Sequence, residues 1–175
     1  PAIIAGNLYP LGGQNVGRLL FFLEGGANLT VTDLILQDGV VMKAEGGTAP
    51  FYLDATPVFP TNTGAAIMTD LKFYADKKSG NNFIRLTRTT VKNCVSTGDG
   101  GAVGLHANSV LILKDSTFIG NRAARDGGAV YSSNSALILE DSTFIGNQAA
   151  RDGGEVHIGR CGRKSRLCEW SDVLS

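Results

Sequence analysis

Two stretches of this chain are nearly the same. Lys114 to Gly128 reads KDSTFIGNRAARDGG, and Glu140 to Gly154 reads EDSTFIGNQAARDGG, so only the first and ninth positions differ. Self-similarity at a period of 20–50 residues marks a repeat architecture in which each unit buries its apolar face against the next. The frame extends backward more weakly. Ile84 to Val91 (IRLTRTTV) matches Leu111 to Phe118 (LILKDSTF), Leu29 to Leu36 (LTVTDLIL) matches that same segment, and Ala66 to Asp76 matches Leu137 to Asn147. The expected inward ladder is therefore Leu36, Phe73, Val91, Phe118 and Phe144, with spacings of 37, 18, 27 and 26. The spacing of 37 predicts a loop insertion over 46–62, where Pro50, Pro57 and Pro60 fall.

A constant motif with variable spacing disfavours helical repeats, because a changed count rotates the next apolar stripe off its partner. Leu111-Ile112-Leu113 and Leu137-Ile138-Leu139 are short β-prone runs between polar turn residues; Phe118 or Phe144 marks a second segment and Ala129-Val130-Tyr131 a third. Three short strands per ~26 residues describe one coil of a solenoid. Stacked at the strand spacing of about 4.8 Å, such coils form a parallel β-helix of about six rungs, right-handed by the crossover rule, with irregular capping ends. The expected organisation is a single β-helix domain over 1–158, with clear repeats over 83–158 and looser ones over 17–76. A tail of different composition follows over 159–175.

Composition removes several functions. Sixteen Lys+Arg balance sixteen Asp+Glu, so no general electrostatic grip on nucleic acid is expected. No apolar run approaches the ~20 residues of a spanning helix. The 23 glycines are about twice the usual share of roughly 7%, without the three-residue period of collagen. They punctuate turns.

Gly-Gly-Ala-Val at 100–103 and 127–130, combined with Phe-x-x-Asn at 118–121 and 144–147, resembles the repeats of the polymorphic outer-membrane protein family, known from chlamydial surface autotransporters. The third copy reads Gly153-Gly154-Glu155-Val156, and the pattern stops after Ile158. The resemblance implies a β-helix displayed outside the cytoplasm, secreted or at the cell surface, and associated with adhesion.

Most repeated polar residues have a structural reading. Asn121 and Asn147 share a column, with Asp76 at the same place and Cys94 in the rung between; stacked amides bond to one another and to turn backbone. Cys94 is expected to be a small buried hydrophobe. Two aspartate columns, Asp33-Asp70-Asp115-Asp141 and Asp99-Asp126-Asp152, invite a calcium reading. Neighbouring charges at that spacing repel by only about 1 kcal/mol in water, and Arg88, Arg125 and Arg151 stand close enough to relieve them. Asp99, Asp126 and Asp152 are weak metal candidates, because Asp before Gly is an ordinary turn residue. Gly100, Gly127 and Gly153 would turn the backbone. No cofactor is expected.

Catalysis should stand out as a departure from the repeat. The departures are His106, Glu155, His157, Cys94 and Trp170, and they form no evident pair or triad. A polysaccharide lyase or hydrolase, like the enzymatic β-helices, is the alternative to a non-catalytic scaffold. A flat-surface binder of the ice-binding type, using Thr90, Thr117 and Thr143, is a second alternative. In the tail, Arg160, Arg163, Lys164 and Arg166 cluster between Cys161 and Cys168, with Trp170 beyond. That segment reads as a cap over the open end of the solenoid or as a docking site for an acidic partner. The two cysteines could close a small loop in an oxidising compartment. The function expected is adhesion or scaffolding through contacts with a protein or glycan, alone or as an accessory subunit of a larger assembly.

Overall fold

The computed structural model describes residues 2–5, 9–11, 14–16, 21–23, 26–41, 64–69, 81–106 and 108–158. Within them the chain winds through four faces, four strands to a coil. A strand β1 (Ala2–Ala5) and an antiparallel hairpin, β2 (Tyr9–Leu11) with β3 (Gln14–Val16), come first. The first complete coil holds β4 (Phe21–Leu23), β5 (Asn28–Thr32), β6 (Leu34–Gln37) and β7 (Val40–Val41). The second holds β8 (Ile67–Thr69), β9 (Phe83–Thr87), β10 (Thr90–Lys92) and β11 (Val95–Ser96). The third comprises β12 (Val103–Leu105), β13 (Val110–Lys114), β14 (Thr117–Ile119) and β15 (Arg122–Ala123). The fourth comprises β16 (Val130–Ser132), β17 (Ala136–Glu140), β18 (Thr143–Ile145) and β19 (Gln148–Ala149), and β20 (Val156–Ile158) opens a fifth.

Equivalent strands pair in parallel into four sheets: sheet 1 is β1-β6-β10-β14-β18, sheet 2 is β7-β11-β15-β19, sheet 3 is β4-β8-β12-β16-β20 and sheet 4 is β5-β9-β13-β17. This is a parallel β-helix, as the repeat requires. The described residues thus give four complete coils with one strand of a further coil at each end. Each coil carries four strands rather than three. In the third coil the extra one, Arg122-Ala123, alternates an exposed polar residue with a small buried one and offers no apolar run to betray it.

The inward file of sheet 1 differs in one member from the ladder read off the sequence. Leu36 pairs directly with Val91, which pairs with Phe118, which pairs with Phe144. Ile4 lies in register below Leu36. No rung separates Leu36 from Val91, so Phe73, which lies outside the described residues, has no place in the file. The chain from Leu36 to Val91 is one long coil, not two short ones. Two insertions account for the excess, one before β8 and one after it. Strand β8 itself belongs to sheet 3, where Ile67 pairs with Val103. The matching of Ala66–Asp76 to Leu137–Asn147 fails accordingly. The proper equivalence is Gly64-Ala65-Ala66-Ile67 with Gly100-Gly101-Ala102-Val103, a degenerate copy of the same motif.

The interior is apolar. Ile84, Leu86, Leu111 and Leu113 from sheet 4, Leu36, Val91 and Phe118 from sheet 1, and Ile67, Val103 and Val130 from sheet 3 are fully buried. Phe118 and Phe144 stack with centroids 5.2 Å apart and planes 19° from parallel, a geometry that adds to their area burial. Successive coils here differ in length by a single position. That slack sits at the turn 106–109, since Leu105 pairs with Ser132 and Val110 with Ala136.

Each corner turns on a residue with positive φ. Between sheets 4 and 1 that residue is Asp33, Arg88, Asp115 or Asp141, with φ of 56°, 46°, 48° and 46°. Between sheets 2 and 3 it is Gly64, Gly100, Gly127 or Gly153. Asp, Asn and Gly tolerate this region, which explains why the chain uses so many of them. The second glycine of the pair serves close approach instead. A Cβ on Gly128 would overlap the Gly154 carbonyl oxygen, so the coils come together there more tightly than any side chain permits.

Candidate functional site

The corners organise the polar chemistry. Between sheets 3 and 4, the Ala27 N–H donates to Asn82 Oδ1 at 2.9 Å, Asn82 Nδ2 to Ser109 Oγ at 3.3 Å, and the Ser109 N–H to Ser135 Oγ at 3.2 Å. Between sheets 4 and 1, the Thr89 N–H donates to Ser116 Oγ and the Ser116 N–H to Ser142 Oγ, both at 3.2 Å. Sequence reasoning missed these serine files, although the repeated Asp-Ser-Thr carries one of them.

The third corner, between sheets 1 and 2, holds the asparagines. Asn121 Oδ1 accepts the Cys94 N–H at 3.0 Å, and Asn121 Nδ2 donates to the Val91 carbonyl at 3.1 Å and to Asn147 Oδ1 at 2.8 Å. Asn147 Nδ2 bonds the Phe118 carbonyl at 3.0 Å and a Glu155 carboxylate oxygen at 2.5 Å. The column is a ladder of side-chain and backbone hydrogen bonds. Its next member below Cys94 is Gly39, not Asp76, which lies outside the described residues; the Val95 N–H bonds the Gly39 carbonyl. Cys94 is fully buried, and burial pushes its thiol up to about 12, so it is no nucleophile at neutral pH.

The fourth corner holds Asp99, Asp126 and Asp152. Its file runs in the opposite sense: the Asp126 N–H donates to Asp99 Oδ1 and the Asp152 N–H to Asp126 Oδ1, both at 3.2 Å. Arg151 clamps Asp126 with two bonds, 3.0 Å from Nε and 2.5 Å from Nη2, and Arg125 stands 3.4 Å from Asp99. The Arg151 bonds hold the Asp126 carboxyl below its ordinary range, against the opposing effect of burial. These carboxylates serve backbone and guanidinium groups, which is turn chemistry. Among the described residues, no three His, Cys, Asp or Glu side chains are grouped to hold a metal ion.

The other aspartate column reads Asp33, Arg88, Asp115, Asp141. Asp33 and Arg88 form a two-bond pair at 2.7 and 2.8 Å on the surface. Asp70, expected between Asp33 and Arg88 from the sequence, lies outside the described residues, and the direct pairing of β5 with β9 leaves no rung for it. Lys114 sits 3.6 Å from Glu140 in the adjoining column.

Glu155 bonds Asn147, whereas His106 is buried at the turn after β12, where its N–H donates to Thr69 Oγ1 at 2.7 Å. Burial pushes the His106 imidazole down to about 4, leaving it neutral at physiological pH. His157, on the outer face of sheet 3, stacks on Tyr131 with centroids 5.6 Å apart and planes 5° from parallel, and Tyr131 meets His106 at 5.7 Å.

The outer face of sheet 1 is the plainest surface. Ile3, Ile35, Thr90, Thr117 and Thr143 make one outward column; Gln37, Lys92, Ile119 and Ile145 make the other. Ile3, Ile119 and Ile145 are 59%, 36% and 52% exposed. The insertion over 46–62 and the tail residues Arg160, Cys161, Arg163, Lys164, Arg166, Cys168 and Trp170 lie outside the described residues.

Four sheets of parallel strands, closed by a side-chain file at every corner, define a repeat protein of the parallel β-helix class. Residues 115–133 match the Chlamydia polymorphic membrane protein repeat. The chain therefore carries a repeat of that family, spanning the Phe-x-x-Asn of the third coil and the Gly-Gly-Ala-Val that follows it. No curated protein and no solved structure matches the chain significantly. Among the described residues, no helix is long and apolar enough to cross a membrane.

Proposed function

We propose that this chain is a non-catalytic β-helix held outside the cytoplasm, where it presents a rigid surface for contacts with a protein or glycan partner in adhesion or scaffolding, alone or within a larger assembly. The observation that carries this reading is the outer face of sheet 1, where exposed Ile119 and Ile145 flank the threonine file in a parallel sheet. Exposed apolar groups in a regular array are characteristic of contact surfaces. Two further facts support it. The polar groups that chemistry would require are engaged in the corner files, and the repeat at 115–133 is that of a family of membrane proteins. The insertion over 46–62 supplies a second contact region.

The test uses immobilised polysaccharides and proteins, read for retention and for release of soluble fragments. Retention without cleavage is expected, and it should be lost in Ile119→Asp/Ile145→Asp and weakened on deleting 46–62. Retention indifferent to both changes would overturn the assignment of surfaces. Soluble carbohydrate products would instead establish the lyase or hydrolase alternative.

A further inference from the structure

We propose that Asn28 is a glycosylation site, the acceptor of an oligosaccharide linked through its side-chain amide. The proposal rests on the extracytoplasmic reading above, because the transferases that make this bond act on chains leaving the cytoplasm. Asn-x-Ser/Thr is the acceptor signal of secreted proteins. Asn28-Leu29-Thr30 carries it, and no other asparagine of the chain has Ser or Thr two places on.

The fold places both groups where the signal needs them. Side chains two apart in a strand share a face. In β5, Leu29 and Val31 pack inward against the core, whereas Asn28 and Thr30 are both exposed on the outer face. The asparagines of the corners differ: Asn82, Asn121 and Asn147 are buried and spend their amides on the files. The Asn28 side chain makes no hydrogen bond among the described residues. Its backbone is nevertheless pinned, since the Ala27 N–H donates to Asn82 Oδ1 and the Ala27 carbonyl accepts the Phe83 N–H, both at 2.9 Å. On the same outer face stand Phe83, Val110, Ile112, Ala136 and Ile138, all partly exposed. Phe83 pairs directly with Asn28, one strand spacing of about 4.8 Å away. A glycan rooted at Asn28 thus lies beside an apolar sheet face and shields it, leaving sheet 1 as the face open to contact.

The transfer joins Asn28 Nδ2 to the anomeric carbon of an oligosaccharide carried on a lipid diphosphate. The bond from that carbon to the diphosphate oxygen breaks, the lipid diphosphate leaves, and one amide proton passes to a base of the transferase. The test is secretion of the full chain from cultured animal cells behind a cleaved signal peptide, followed by intact-mass analysis. The product should be heavier than its sequence by one oligosaccharide. Peptide-N-glycosidase should remove the sugar and leave a carboxylate at position 28, visible in the peptide mass. Asn28→Gln and Thr30→Ala should abolish the addition, and Thr30→Ser should keep it. An unmodified secreted chain, or a sugar that persists in Asn28→Gln, overturns the site. The host imposes secretion, so that failure leaves the extracytoplasmic reading standing. Retention through sheet 1 should survive Asn28→Gln; its loss would make the glycan itself the contact and overturn the shielding role.

Discussion

Replacing Asn121 by alanine tests the corner files where they are most buried. The side chain is inaccessible to solvent, and it makes three hydrogen bonds, to the Cys94 N–H, the Val91 carbonyl and Asn147 Oδ1. A typical intramolecular hydrogen bond contributes about 1 kcal/mol net, and a buried donor left without a partner costs a further 1–3 kcal/mol or so. Asn121→Ala removes all three bonds and strands the Cys94 N–H in the buried interior. The expected loss is about 4 kcal/mol, a large part of the roughly 5–15 kcal/mol by which domains are stable. Asn147→Ala should cost a similar amount, because it removes four bonds, to the Asn121 N–H and Nδ2, the Phe118 carbonyl and Glu155, and strands the buried Asn121 N–H. Equilibrium unfolding in guanidinium, followed by far-UV circular dichroism, measures both. A loss below about 1 kcal/mol for either variant would refute the view that the amide file ties successive coils together.

Three other outcomes are expected. His106, pushed down to about 4 by burial, stays neutral when folded while the unfolded chain protonates near 6.5; stability should therefore fall as pH drops from about 6.5 to 4, by up to about 3 kcal/mol. His106→Gln should flatten that slope in guanidinium midpoints taken at pH 7 and 4.5. The Asp126 carboxyl is held low by Arg151, so its contribution is present above the ordinary carboxylate range and disappears as pH falls through and below it. Arg151→Ala should weaken the acid limb of a pH–Tm curve and leave its neutral limb with the same slope. Gly128→Ala forces a Cβ against the Gly154 carbonyl and should abolish folding or cost more than about 3 kcal/mol. Gly154→Ala meets only the Asn147 carbonyl oxygen, 3.8 Å away, and thermal unfolding should show a change within about 1 kcal/mol.

The architecture was legible because the repeat was. Phe118 and Phe144, Asn121 and Asn147, and Thr117 and Thr143 pair as their common offset demands. The reading failed where the period stretched. Ala66 to Asp76 carries apolar residues and an aspartate in roughly the spacing of Leu137 to Asn147, and local composition alone cannot tell a strand of sheet 4 from one of sheet 3. The better signal was Gly64, since a left-handed turn followed by two small residues and a β-branched one marks the start of a coil wherever it occurs. The short strands of sheet 2 left no trace because their inward residues, Ser96, Ala123 and Ala149, are small. The Asp33–Arg88 pair was hidden by the same miscount that placed Asp70 between its members. Functional surfaces were harder to read, because a solvated threonine column and a binding threonine column share one sequence pattern.

The long second coil carries a consequence for how such a molecule changes. Strand β10 resumes perfect pairing with β6 although twice the usual length of chain separates them. Axial rise is thus set by backbone pairing, while the length of chain spent in one turn is free to vary. Both insertions flank the single strand β8, so that one level of the rod acts as a branch point. Foreign peptides grafted between residues 41 and 64, or between 69 and 81, would be carried at a fixed height along the axis, and lengthening them would leave the levels above and below unmoved.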